Sequence, residues 1–219
     1  MPGGYRRPSN CTVRVTEPEQ SGLIEQLALK GYAIAPDFFK YELCASLQQE
    51  ADALSLDGGA HEAGIGRGRD QQIERRVRRA RIQWFDGSTP GQLELLAEAE
   101  KLRIHINKLL FLGLFEFEAQ IALTPVGGFY ARHIDSFHGS RSRIVSLVAY
   151  LNDDWATADG GCLRIWPPSE HSHSPPIDVV PRRGTLILML SEKVDHEVML
   201  CHRARASVAG WFRLRSAQH

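Results

Sequence analysis

From residue 116 to residue 214 the sequence is a succession of short runs rich in Val, Ile, Leu, Phe and Tyr, broken by Gly, Pro, Asn and Asp. Apolar and β-branched runs of this length between turn residues are the pattern of an all-β region. The runs predict strands over 116–123, 130–135, 144–151, 162–166, 177–180, 185–190, 197–200 and 204–214. About eight strands over roughly a hundred residues suit two sheets packed face to face, a double-stranded β-helix or jelly roll.

The first half reads differently. Ser21 is the expected N-cap of a helix with an apolar stripe of Leu23, Ile24, Leu27 and Leu29, ended by Gly31. A short strand follows at Tyr32-Ala33-Ile34-Ala35. Asp37 is then the expected N-cap of a second helix running through Leu43, Leu47 and Ala51 to about Leu54. Thr89-Pro90 opens a third, long helix that reaches Leu112, with Pro pre-set for the first helical position. Between residues 57 and 81 Gly and Arg dominate, giving a basic loop that reads either as a solvated charge run or as a lid beside the core. The expected fold is therefore mainly β with flanking helices. Residues 1–20 read as a loose arm, and residues 21–219 as a single domain with a helical buttress (21–112) and a jelly-roll core (116–215).

Lys plus Arg and Asp plus Glu are equal at 26 each, which gives no field to attract nucleic acid or an anionic membrane. Cys11, Cys44, Cys162 and Cys201 are scattered without a C-x-x-C pair, which suits neither a disulfide framework nor a zinc ribbon. No apolar run has the length of a signal peptide or a membrane span, so a cytoplasmic protein is expected.

The chemistry concentrates in Tyr130-Ala131-Arg132-His133-Ile134-Asp135. On a strand, alternate side chains share a face, so His133 and Asp135 project together. Two histidines and one carboxylate on one face of an octahedron leave three positions open, the arrangement by which non-heme iron(II) oxygenases admit a chelating keto acid and dioxygen. His196 in Val194-Asp195-His196-Glu197-Val198 supplies the third ligand, while Glu197 alternates to the other face. Nine residues on stands Arg205, whose planar fork suits the far carboxylate of 2-oxoglutarate, with a hydroxyl from Ser207 or Tyr150 beside it. His171 and His173 lie in a Pro-rich stretch that reads as surface loop. His138 and His202 are expected to face outward, and His61 and His105 read as loop and helix-face residues.

With these residues in place the chain resembles the prolyl hydroxylase branch of the iron(II)- and 2-oxoglutarate-dependent oxygenases, especially the bacterial relatives of the oxygen-sensing prolyl hydroxylases. The resemblance runs from about residue 64 to 214. It is carried by Phe129-Tyr130-Ala131-Arg132-His133-Ile134-Asp135, Tyr150-Leu151-Asn152-Asp153-Asp154-Trp155, Gly160-Gly161-Cys162-Leu163-Arg164-Ile165 and His196-Glu197-Val198 through Trp211-Phe212. It implies a jelly-roll dioxygenase using iron(II), 2-oxoglutarate and dioxygen, stimulated by ascorbate. It also implies His133, Asp135 and His196 as metal ligands, Arg205 and Tyr150 on the cosubstrate carboxylate, and Trp211 and Arg143 as walls of the pocket for the target proline. Tyr130 and Arg132 are then expected to touch the peptide or brace the metal site, and the basic loop to fold over the substrate.

A proline-containing protein or peptide is the implied substrate, with elongation factor Tu a candidate. Two positions depart from the family pattern. Thr124 stands where a tyrosine is usual, so that one hydroxyl contact to the cosubstrate is shortened or lost. Ala80 replaces an acidic residue, which removes an ion-pair partner for an arginine of the pocket. The alternatives are the same chemistry on a lysine, a small metabolite or a nucleobase, or a non-catalytic, cupin-like metal-binding sensor. Arg205 separates the last of these, since a barrel without turnover has no need of a buried cation facing the metal.

Overall fold

The computed structural model describes residues 17–56, 61–62, 80–136, 142–168 and 174–215. Among the described residues three α-helices, α1 (Glu17–Lys30), α2 (Tyr41–Leu56) and α3 (Pro90–Leu110), accompany eleven strands. The strands are β1 (Tyr32–Ala35), β2 (His61–Glu62), β3 (Arg81–Trp84), β4 (Glu116–Thr124), β5 (Tyr130–His133), β6 (Arg143–Tyr150), β7 (Leu163–Trp166), β8 (Ile177–Val179), β9 (Leu186–Leu190), β10 (Asp195–Val198) and β11 (Arg205–Arg213). They form a major sheet in the order β1-β9-β6-β11-β4-β3-β2 and a minor sheet in the order β5-β10-β7-β8, antiparallel throughout. This is the expected jelly roll, and each of the eight predicted strands is present.

Alternation along the strands of the major sheet separates two environments. Ala119, Ile121, Leu123, Val145, Leu147, Ala149, Ala206, Val208 and Phe212 face the helices and join Ile24, Leu27, Leu47, Leu95, Leu102 and Ile106 in the main core. Each fully buried Leu or Ile there stabilises the fold by roughly 1.5–3 kcal/mol. The opposite face, with Thr124, Gln120, Ser146, Tyr150, Arg205, Ser207 and Trp211, looks toward the minor sheet and is polar although buried. Its apolar part is a smaller cluster of Tyr150, Leu163, Ile165, Val179, Ile187, Met189 and Val194.

Helix boundaries differ from expectation at three places. Helix α1 begins at Glu17, so Ser21 lies inside it rather than capping it, and part of the expected arm is helical. Asp37 has φ of 54° in a turn, and α2 begins only at Tyr41; the short acidic side chain serves the left-handed turn instead of a cap. Helix α3 starts as expected, with Thr89 Oγ1 accepting the Gln92 N–H at 3.2 Å, but stops at Leu110, two residues early. Phe111 turns left-handed there, and Asn107 holds both the N–H and the carbonyl of Leu114 at 2.8 and 2.7 Å. At the end of α1, Gly31 behaves as predicted: its φ is +80°, and its N–H bonds to Leu27 O. Apart from β2, residues 57–79 lie outside the described residues, and so does the pose expected for the basic loop.

One buried amide ties the layers beside the site. Asn152 donates to Pro181 O and Ala206 O and accepts from Ala206 N–H, all within 3.0 Å. Asn152→Ala leaves Pro181 O and the Ala206 N–H without these partners, each costing about 1–3 kcal/mol, while Ala206 O keeps the Leu151 N–H at 3.4 Å. A urea titration should show stability falling by roughly 2–4 kcal/mol.

Candidate functional site

Strands β5 and β10 pair so that His196 sits directly opposite His133, and a register shift follows before Val198 meets Tyr130. The two imidazoles lie 4.3 Å apart between ring centroids. Asp135 reaches them in a way that strand alternation did not anticipate. Strand β5 ends at His133, and Asp135 lies two residues beyond it in a bend that turns its carboxylate back. Its Oδ1 stands 3.5 Å from His133 Nε2 and 3.7 Å from His196 Nε2. One atom from each residue falls within 4.8 Å of the others, the spacing of a set that shares one ion, and among the described residues these form the one such group.

Both histidines are held in one tautomer. Nδ1 of His133 lies 2.7 Å from Ala131 O, and Nδ1 of His196 lies 3.1 Å from Val194 O. A carbonyl only accepts, so each Nδ1 carries the proton and each Nε2 turns its lone pair to the centre. Burial pushes the pKa of His196 down, and the Asp135 charge opposes this only in part, which favours the neutral ligand form. Burial alone would raise the pKa of Asp135, but His196, His133 and the Ser146 hydroxyl outweigh it and hold the carboxyl far below the usual carboxylate range. The Tyr130 ring stacks on His133 at 3.6 Å and 22°, which fixes the imidazole plane. Arg132 points away from the centre: it bonds Asp195 at 2.6 Å and lies over the Trp166 ring.

Arg205 is 3% exposed and has no carboxylate partner among the described residues. Its Nη1 donates to Ser207 Oγ at 3.2 Å, its Nε is buried and unpaired, and its guanidinium lies 4.8 Å from the Tyr150 ring centroid. The Tyr150 hydroxyl is likewise buried without a partner, and burial pushes its pKa up. Thr124 stands opposite Arg205 in the β4–β11 register, also buried. Gly161, at φ of +65°, lets the chain pass close by, since a Cβ there would come within 3.2 Å of Arg205 Cδ and 2.9 Å of Cys201 Sγ. Cys44, Cys162 and Cys201 are free and buried, and Cys11 lies outside the described residues.

Farther along β11, Trp211 packs against Trp84 at 6.0 Å and lies under the Arg143 guanidinium at 3.7 Å. Arg143 bonds Glu118 at 2.9 Å, and Arg213 bonds the same residue at 3.0 Å. The loss of an acid at Ala80 therefore does not leave this arginine unpaired, because β4 supplies one. The alternation Glu116-Phe117-Glu118, acids on one face and an aromatic on the other, was the available sign of this in the sequence.

Sequence reasoning also missed Ser146, which bonds the Asp135 carboxylate, and Ser191, which bonds Ser146 behind it. A single hydroxyl in the apolar run Ile144-Val145-Ser146-Leu147-Val148, on the same face as Tyr150, was the only signal for the first. His202 is exposed with Nδ1 at 3.0 Å from Ala158 O, as expected; His138, His171 and His173 lie outside the described residues. No helix among the described residues is long and apolar enough to cross a membrane.

Comparison with known proteins agrees with this geometry. The model of the 2OG-Fe(II) oxygenase superfamily matches residues 119–213, the stretch that carries the cluster and Arg205. A prolyl-4-hydroxylase from Pseudomonas putida is 36% identical over 90% of this chain and 100% of its own, with a TM-score of 0.82. A prolyl hydroxylase from Trichoplax adhaerens, solved with a hypoxia inducible factor oxygen degradation domain peptide fragment, shares the fold at 23% identity, 90% coverage of both chains and a TM-score of 0.77. A prolyl 4-hydroxylase from Phytophthora capsici shares it at 19% identity, over 96% of this chain and 70% of its own, with a TM-score of 0.72. Sequence, fold and the convergence of a carboxylate and two imidazoles beside a buried arginine place the chain among the 2-oxoglutarate- and iron(II)-dependent dioxygenases, in the prolyl 4-hydroxylase family.

Proposed function

We propose that the protein hydroxylates a prolyl residue of a protein or peptide, with His133, Asp135 and His196 holding iron(II) and Arg205 holding the far carboxylate of 2-oxoglutarate. The observation that carries this reading is Arg205 itself. A buried guanidinium without a counter-ion costs several kcal/mol. The unpaired Arg205 Nε and Tyr150 hydroxyl on the same inner face fit a dicarboxylate that completes both, and two imidazoles converging with a carboxylate fit a divalent metal.

Iron(II) with 2-oxoglutarate supplies, when bound, the oxidation that places one atom of dioxygen on a C–H bond while the keto acid becomes succinate and carbon dioxide. The chain supplies the geometry. Its Nδ1–carbonyl bonds aim both imidazoles, the Tyr130 ring holds one of them flat, and the buried side chains of Arg205, Ser207, Tyr150 and Thr124 fix the cosubstrate's far end. At the opposite end of β11, the Trp84 and Trp211 rings with Arg143 offer an apolar, electron-rich wall that suits a proline ring. The 36% identity to a bacterial prolyl-4-hydroxylase supports the same target, with elongation factor Tu as the first protein to try.

The test is succinate formation from 2-oxoglutarate with iron(II) and ascorbate, with and without elongation factor Tu, followed by intact mass. Stimulated turnover with a gain of one oxygen on a proline is the expected result. Succinate formation without that gain overturns the substrate and leaves the chemistry standing.

A further inference from the structure

Ser146 and Ser191 are both buried beside the Asp135 carboxylate. Ser146 Oγ donates to Asp135 Oδ2 at 2.6 Å, on the oxygen opposite the one that faces the two histidines. A serine hydroxyl carries one proton, and in this bond the Ser146 proton is committed to Oδ2. The Ser146–Ser191 contact of 2.9 Å must then run from Ser191 as donor to Ser146 as acceptor. The main chain ties the same pieces together: Ser136 N–H bonds Ser191 O at 3.2 Å, and Ser191 N–H bonds Ile144 O at 3.0 Å. The bend carrying Asp135 is thus fastened to the end of β9 twice, once through Ser136 and once through the two hydroxyls.

From this arrangement we infer that Ser146, oriented by Ser191, is a positioning residue that makes Asp135 a one-oxygen ligand through Oδ1. The reason it matters is the number of positions on the metal. Two imidazoles and one carboxylate oxygen occupy three of six, a chelating keto acid takes two more, and one is left for dioxygen. A carboxylate gripping through both oxygens would take that last position. A short hydrogen bond from a hydroxyl to the ionised Oδ2 competes with the second metal contact and is among the stronger neutral-donor bonds available. Ser191 removes the alternative in which Ser146 turns its proton elsewhere.

The inference rests on the proposed ligand set, and the experiment separates the two. Cobalt(II), a spectroscopic stand-in for iron(II), is titrated into the purified full-length protein and into Ser146→Ala, Ser146→Thr and Ser191→Ala, with saturating 2-oxoglutarate. Affinity and the visible ligand-field spectrum are recorded, and the melting temperature of each metal-free protein is measured alongside. Ser146→Ala should weaken cobalt binding by about 10- to 100-fold, the usual effect of losing a partner of a metal ligand. Its ligand-field spectrum should change, Ser146→Thr should restore both, and Ser191→Ala should shift them in the same direction by less. In the iron enzyme, kcat should fall while the apparent KM for 2-oxoglutarate stays within about two-fold of wild type, because the hydroxyl pair does not touch Arg205.

Equal affinity and an unchanged spectrum in Ser146→Ala overturn the inference, and so does a loss that Ser146→Thr fails to restore. If Ser146→Ala does not fold, Ser191→Ala decides alone, since Ser191 contacts no ligand side chain. Failure of the wild-type protein to bind cobalt overturns the proposed metal site itself, a different result from wild-type binding that the serine variants match.

Discussion

His133→Ala should abolish 2-oxoglutarate turnover in the protein while leaving its fold in place. His133 gives its Nε2 to the cluster, and its Nδ1 is held by Ala131 O, so no neighbouring nitrogen is placed to substitute. Removing a ligand outright exceeds the roughly 10- to 100-fold loss typical of removing a ligand's hydrogen-bond partner, so metal affinity should fall by more than about 100-fold. The structural cost is small by comparison. The ring stack on Tyr130 is the main packing lost, about 1 kcal/mol, which corresponds to a melting-temperature change of roughly 2–4 °C in a chain of this size. Calorimetric metal titration, succinate production and a thermal melt check the three parts, and full turnover in the variant would reject His133 as a ligand.

Arg205→Leu should have opposite effects on activity and stability. Truncating one member of a buried, hydrogen-bonded charge pair costs about 2–5 kcal/mol, so the apparent requirement for 2-oxoglutarate should rise by at least roughly 30-fold, with much less change in that for iron(II). In the protein without cosubstrate, however, Arg205 is a buried cation with no carboxylate partner among the described residues. Exchanging it for an apolar side chain removes a desolvation cost, so the ligand-free melting temperature should hold or rise. Adding 2-oxoglutarate with a divalent metal should raise the wild-type melting temperature far more than that of the variant, because a ligand stabilises only the state that binds it. A variant with unchanged 2-oxoglutarate dependence, or a marked loss of ligand-free stability, would show that Arg205 is a structural residue instead.

The particular errors of the sequence reading share a cause. Ser21 and Asp37 have the chemistry of helix caps, but capping depends on where the chain turns. Helix α1 had already begun upstream, and Asp37 was needed for a left-handed turn. His133 and Asp135 were expected to share a strand face. They meet instead because the strand stops and a bend, fastened by Ser191, returns the carboxylate. Ala80 suggested a missing ion pair, and Glu118, distant in sequence but adjacent on β4, provides it.

The sequence by itself determined the strand succession and the helices that cover one face, and it pointed to His133, Asp135, His196 and Arg205 as candidate site residues. Alternation, turn residues and ligand chemistry are local properties, readable from residue type and spacing. The tertiary structure alone decided which hydroxyls reach the Asp135 carboxylate, which acid pairs with Arg143, and that Arg205 is buried with no carboxylate partner among the described residues. Those facts depend on pairing between strands far apart in the chain, where a shift of one residue exchanges the inner face for the outer.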